Sequence, residues 1–161
     1  MKLALTRVDS RLVHGQVIED WVPAMGAEVV VVANDEVAAD PLQSTIMETC
    51  TCSADVSVRV LPVDGVLELF GSDAGRGPNA IVLLRDVADA KRLWETGVKF
   101  ERLNLGNVHE HPGARAVSRS VFLDEADFGA LKQLLKSGVD VEVRAVSRDR
   151  SLNMEDLVQQ F

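Results

Sequence analysis

The chain has 161 residues, the length of one ordinary domain, and its 47% hydrophobic and 26% charged residues describe a globular protein with a core to bury and exclude a disordered one. Seventeen basic residues against 25 acidic ones leave a net charge of -8, a field that repels phosphate backbones and anionic lipid, so nucleic acid and membrane surfaces are not expected partners. The longest apolar runs, at 29–33 and 80–84, fall far short of the roughly 20 residues a membrane helix needs, and Lys2 and Arg7 interrupt the start before a signal-peptide core forms, so neither insertion nor export is expected.

Along the chain, short β-branched runs alternate with longer amphipathic ones. Residues 3–8 predict a first strand, followed by a helix from about 14 to 22 with Pro23 and Gly26 at its exit. The unbroken valine run at 28–33 marks a strand covered on both faces. Asp40 and Pro41 read as an N-cap and a first-turn proline, opening a helix to about Cys50. Strands at 56–61 and 80–84 flank a weaker helix at 63–70, and the Gly-, Ser- and Asp-rich stretch 71–78 is the expected flexible loop. An amphipathic helix at 86–96 ends on Gly97. Short extended segments at 102–105 and 116–123 enclose a loop with Gly106 and Pro112. Asp124 then caps a helix to about 137, ended by Gly138, before a last strand at 139–146 and a terminal helix from 153 or 154 to 160.

Strands alternating with helices predict an α/β fold: a single domain over 1–161 built on an open, mostly parallel twisted sheet with helices on both faces. In such sheets ligands bind at the carboxyl ends of the strands, where the first strand-to-helix loop contributes. That loop, residues 7–17, holds Arg7, Asp9, Ser10, Arg11, His14 and Gly15 at a helix mouth. Free amides and a positive dipole end favour an anion there, and Arg11 adds a charge-assisted contact. A neutral imidazole is a competent nucleophile, and phosphoryl transfer asks mainly for positioning and charge neutralisation. A lone histidine near a helix start is more often a cap or a solvated side chain. Its company here makes an anion site an equal reading, without naming the anion.

Other candidates are weaker. His109-Glu110-His111 offers metal-ligand types, but such near neighbours rarely converge on one ion and no fourth ligand is apparent, so it reads as a polar loop. Cys50 and Cys52 stand too close for an unstrained disulfide and are too few for zinc; they read as reduced packing residues. The glycines of 71–78 lack a Walker lysine and serine or threonine. Trp21 and Trp94 read as core or half-buried helix faces, with Trp21 placed to border a docking surface.

Residues 7–17 resemble the signature of the enzyme IIB subunits of the mannose/fructose/sorbose class of the bacterial sugar phosphotransferase system, approximately R-[IV]-D-x-R-L-[IV]-H-G-Q-V. Trp21, the 34–40 segment, Asn104-Leu105-Gly106-Asn107 and the 123–138 helix agree in order, so the resemblance covers essentially the whole chain. It implies a phosphorylated histidine at His14, with phosphate on Nδ1, and phosphate handling by Arg11. Asp9 would orient an arginine or the imidazole, Ser10 and Gly15 would complete the phosphate loop, and Gly106 and Asn107 would look across at the histidine. It further implies a cytoplasmic phosphotransferase, peripherally associated with a membrane transporter. Such a subunit takes phosphate from a IIA domain and gives it to a sugar held by IIC and IID subunits, with no diffusible cofactor and no metal; homo-oligomerisation stays open. Ser10 and Asn34 stand where aspartates are common, and 50–54 and 146–149 lack customary prolines. These departures leave the sugar unassigned. A regulatory phosphohistidine protein and a non-covalent anion-binding module are the alternatives.

Overall fold

The computed structural model describes residues 1–49, 51, 55–71 and 75–159; Cys50, Cys52, part of the expected loop at 71–78 and the end of the expected terminal helix lie outside them. The strands are β1 (Lys2–Asp9), β2 (Val29–Ala33), β3 (Ser57–Leu61), β4 (Asn79–Leu84), β5 (Arg102–Asn107), β6 (Arg115–Ala116), β7 (Phe122–Leu123), β8 (Asp140–Val143) and β9 (Leu152–Asn153). Seven of them form one sheet in the order β3-β2-β4-β1-β5-β8-β9, parallel throughout except for the antiparallel β9 edge. β6 and β7 pair separately as a small antiparallel hairpin. This is the α/β, mostly parallel open sheet that the alternation of elements predicts.

Helices cover both faces: α1 (Val22–Met25), α2 (Asp35–Ala39), α3 (Pro41–Thr49), α4 (Val87–Thr96), α5 (Glu125–Lys136) and α6 (Met154–Val158). The two-residue period of a strand divides the core. Val29, Val31 and Ala33 of β2 join a cluster with Leu93 of α4 and Phe128, Leu131 and Leu134 of α5. Val30 and Val32 join Leu12, Val17, Trp21 and Val37 on the opposite face. Every residue of β2 is buried, which is why its sequence shows no polar alternation.

Where the structure departs from expectation, local chemistry explains it. The Asn34 side chain accepts the Val37 N–H at 3.0 Å and caps an additional short helix, α2; Asp40 then stays extended and separates it from α3. Residues 63–70 form a 3₁₀ helix, and the first helix begins with a π-helical turn at Val17–Trp21 that runs into α1. The expected strand at 116–123 survives only as the two ends of the β6–β7 hairpin. The last strand stops at Val143, where the carbonyls of Arg144 and Ala145 leave the ladder to meet the side chains of Arg7 and Trp21.

Candidate functional site

β1 is the central strand, and its alternation puts Leu5 into the same core cluster as Trp21. Arg7 and Asp9 follow on the same parity and are completely buried. Burying two charges costs several kcal/mol each unless they are paired and fully hydrogen-bonded. Arg7 meets that condition on most sides: Nη2 donates to Asp9 Oδ2 at 3.0 Å and to the Ala145 carbonyl at 3.0 Å, while Nη1 donates to Asn104 Oδ1 and, at 3.1 Å, to the Arg144 carbonyl. Its guanidinium lies 4.9 Å from the Trp21 ring centroid. On the β5 side Gly106 faces it so closely that a Cβ there would stand 1.9 Å from Arg7 Cζ. Only a hydrogen fits between β5 and that guanidinium.

Asp9 in turn organises the loop. Oδ2 takes Arg7 and His14, and Oδ1 accepts the Arg11 backbone N–H at 3.1 Å and, more loosely, Arg11 Nε at 3.4 Å. Burial pushes the Asp9 carboxyl up, but the His14 hydrogen bond and the Arg7 charge outweigh it and hold the group below the usual carboxylate range. An ionised carboxylate only accepts, so the 3.0 Å contact to His14 Nε2 requires the proton to sit on Nε2. In a neutral ring Nδ1 then carries the lone pair, and no described residue hydrogen-bonds to it. Leu12, buried and at φ 58°, turns the chain between Asp9 and His14, a left-handed conformation costing about 1–3 kcal/mol in a non-glycine residue. Beyond it the His14 carbonyl accepts the N–H groups of Val17 and Ile18 at 3.1 and 3.2 Å, which opens the helix, and the Val22 N–H reaches back to the Val17 carbonyl in the π-helical turn.

Thus the structure brings Asp9, Arg11 and His14 into direct contact. Arg11 is 41% exposed, and its Nη2 reaches Gln16 Oε1 at 3.1 Å. Ser10 ties neighbouring strand ends together: its N–H donates to the Asn107 carbonyl, its Oγ donates to the Arg85 carbonyl at 3.4 Å, and the His109 N–H donates to Oγ at 3.1 Å. Gly15 faces open space, with nothing within 4 Å of where a Cβ would stand. Gly106 reaches the site only through Arg7, and Asn107 Oδ1 is buried without a hydrogen-bond partner. Trp94 lies elsewhere, packed edge-on against Phe100.

Three residues near the far end of the chain that the sequence does not single out, Glu142, Ala145 and Ser147, back the site. Trp21 Nε1 donates to the Ala145 carbonyl at 3.1 Å, and Ser147 donates its N–H to Asp20 at 2.7 Å and its hydroxyl to the same carboxylate. Asn104 Nδ2 donates to Glu142 Oε1 at 3.0 Å. One signal was available: an arginine and an aspartate two apart in a central strand share a buried face and must pair. On the other side, Asn34 Nδ2 reaches Asp89 Oδ2 at 3.5 Å, and burial, followed by the charges of Asp86 and Asp35, pushes the Asp89 carboxyl up to about 6.

Comparison with known proteins places the chain in a family and agrees with the fold. The model of the PTS system sorbose subfamily IIB component matches residues 3–161. The chain is 34% identical over 161 residues to the mannose-specific EIIAB component of Escherichia coli K12, covering all of this chain but about half the length of that relative. It is 33% identical to the N-acetylgalactosamine-specific phosphotransferase enzyme IIB component 2 of the same organism, covering 97% of this chain and 98% of that protein. The crystal structure of the IIBSor domain of the Klebsiella pneumoniae sorbose permease superposes with a TM-score of 0.89 at 27% identity, covering 99% of this chain and 98% of that one.

Gly106→Ala should lower stability by about 3 kcal/mol or more, since the new methyl must push aside a buried guanidinium and break its pairing. Urea denaturation measures this, and a loss under about 1 kcal/mol would show that Arg7 can move. Asp89 predicts a pH effect. An unfolded aspartate titrates near about 3.9, so below that value the carboxyl is neutral in both states and costs the fold nothing. Above about 6 it is charged in both states and the fold bears the whole penalty. Stability at this position therefore falls as pH rises through that window. Thermal melts should find Asp89→Asn more stable than the parent at pH about 7, with the gain shrinking toward pH about 4; an equal gain at both values would break the link to Asp89.

Proposed function

Because the chain belongs to the sorbose subfamily of IIB components of the sugar phosphotransferase system, we propose that it takes a phosphoryl group onto Nδ1 of His14 from a phosphohistidine of a IIA domain and passes it to a sugar hydroxyl presented by membrane IIC and IID subunits. The observation that carries this reading is the contact between Asp9 Oδ2 and His14 Nε2. It holds the proton on one ring nitrogen and turns the other, with its lone pair, into the nucleophile.

In the incoming step the Nδ1 lone pair attacks phosphorus, the N–P bond to the donor imidazole breaks, and that imidazole leaves with the electron pair. His14 keeps its Nε2 proton, so the phosphorylated ring is cationic, and the Asp9 carboxylate stabilises that charge. In the outgoing step the sugar oxygen attacks phosphorus, the Nδ1–P bond breaks, and neutral imidazole is restored. The hydroxyl proton passes to the phosphoryl oxygens or to solvent. Phosphoryl transfer has a loose transition state with charge on its equatorial oxygens, so positioning and electrostatics supply most of the catalysis. Arg11 is the exposed cation beside His14; its contacts to Gln16 and Asp9 are ones a phosphoryl dianion outcompetes.

Among the described residues no helix is long and apolar enough to cross a membrane, so the reading has this chain meet its sugar at the face of partner subunits. The mannose-specific relative is an EIIAB component of which this chain spans about half, which supports a IIA domain as the donor. Docking with both partners would be transient and modest in area.

Incubation with the general phosphotransfer proteins, a IIA domain and phosphoenolpyruvate should place one acid-labile, base-stable phosphate on His14, while His14→Ala folds and accepts none. Label mapped to Ser10, His109 or His111 would overturn the assignment. Label that stays on His14 and never reaches a sugar would make the protein a regulatory phosphoprotein. Arg11→Gln should still accept label from IIA but lose roughly 10²-fold in transfer to sugar, the scale of one lost electrostatic stabiliser. The incoming step can borrow positive charge from the donor domain; a sugar brings none. Quench-flow measurement of both half-reactions tests this, and equal losses in the two directions would give the arginine a different job.

A further inference from the structure

We propose that His111, Asp124 and Asp127 form a binding site for a divalent transition-metal ion of the zinc class, separate from the His14 site. The three residues come from two places, the loop after β5 and the first turn of α5, on either side of the β6–β7 hairpin. Near neighbours in sequence do not make the site: the His109 N–H serves Ser10, while His111 turns toward the helix.

The geometry is that of a ligand set. His111 Nε2 stands 3.3 Å from Asp124 Oδ2 and 3.3 Å from Asp127 Oδ2. Zinc takes imidazole nitrogen at about 2.0–2.1 Å and carboxylate oxygen at about 2.0–2.2 Å, and in a tetrahedron such donors stand about 3.4 Å apart. One ion can therefore touch all three atoms without rearranging the backbone, and one donor atom from each residue lies within 4.8 Å of the others.

Each ligand is also held from behind. His111 Nδ1 lies 2.9 Å from the His109 carbonyl and must donate to it. In a neutral ring that leaves the Nε2 lone pair facing the two carboxylates, the arrangement in which metal-bound histidines are commonly fixed. Asp124 Oδ1 accepts the Asp127 N–H at 2.8 Å and Asp127 Oδ2 accepts the Asp124 N–H at 3.1 Å. This capping box starts α5 and at the same time sets the spacing of the two carboxylates. Their two negative charges more than offset the positive end of the helix dipole, which alone would repel a cation.

The site is partly sunken, with side-chain exposures of 35%, 30% and 14% for His111, Asp124 and Asp127. It borders a shallow cleft lined by Pro112, Gly113, Glu125 and Ala126 as well as Arg115, from which water can complete the coordination shell. Three protein ligands with an open position are the pattern of zinc sites that bind an exchangeable fourth group. A nitrogen donor and so few oxygens disfavour calcium and magnesium. The competitor is a proton on Nε2, which would bridge the same carboxylates as a plain ion pair.

Calorimetric titration of the full chain with Zn²⁺ at pH about 7.5, paralleled by Co²⁺ absorption, tests the proposal. One equivalent should bind, and the Co²⁺ adduct should show the intense visible bands of a four-coordinate site. His111→Ala leaves the capping box and so α5 intact, and it should weaken affinity at least about 10-fold, the loss expected even for an outer-sphere partner. Asp127→Asn should weaken it similarly, whereas His109→Ala should not. Failure of the parent to bind would make the cluster an ion pair held by a proton. Binding undiminished in His111→Ala, or abolished instead by Cys50→Ser with Cys52→Ser, would place the metal elsewhere.

Discussion

A carboxylate with no solvent contact is stable in its ionised form only when charged or hydrogen-bonding partners replace the water it has lost. Asp9 is such a group: Arg7 and His14 share one oxygen, and the backbone and side chain of Arg11 share the other. The consequence is directional. A single anion at the carboxyl end of the central strand decides which nitrogen of His14 is protonated, where the loop turns, and on which side Arg11 emerges. The positive φ of Leu12 is the backbone distortion that this convergence imposes.

Asp9 could not be buried without Arg7, and Arg7 could not be buried without the far end of the chain. Its donors reach the carbonyls of residues 144 and 145, and the same two residues are where β8 leaves the sheet. Gly106 on β5 gives the guanidinium its space, and Trp21 gives it a π face while donating to the Ala145 carbonyl. Asp20 and Ser147 fasten the same segment to the π-helical turn. Segments from both ends of the sequence are therefore cross-linked through one buried cation. This explains why the sheet extends past β5 in the order that it does: β8 must lie where its exit can return to β1.

Much of this was legible before any coordinates. The valine run of β2, the Asp124 cap and the alternation of elements give the α/β sheet because each is a local signal with a single physical meaning. The first loop stood out because Arg, Asp, Ser, His and Gly gather at a strand-to-helix junction, which made an anion site an equal reading beside a capping or solvated histidine. What was not legible depends on distances between segments remote in sequence. Gly106 reads as part of a loop facing the histidine, whereas it stands against Arg7. The interruption of the last strand at Val143 follows from hydrogen bonds to residues more than a hundred positions away. His111 reads as half of a histidine pair until the β6–β7 hairpin brings α5 beside it.

The distribution of charge around His14 bears on how, in the proposed relay, one site would both receive and release the same group. The chain carries a net charge of -8, and a phosphoryl group adds to it, so long-range electrostatics do not hold phosphate here. Arg7 is too deeply enclosed to reach a phosphoryl oxygen and acts through Asp9; Arg11 is the exposed neighbour that remains. A deeply cationic pocket would stabilise the phosphorylated state and trap the group, since binding the ground state as tightly as the transition state gains no rate. A site with one exposed arginine, and a carboxylate compensating the ring on its opposite edge, stabilises the phosphoryl group only modestly. The missing positive charge can then come from a docked donor in the incoming step, while the outgoing step to a sugar leans on Arg11.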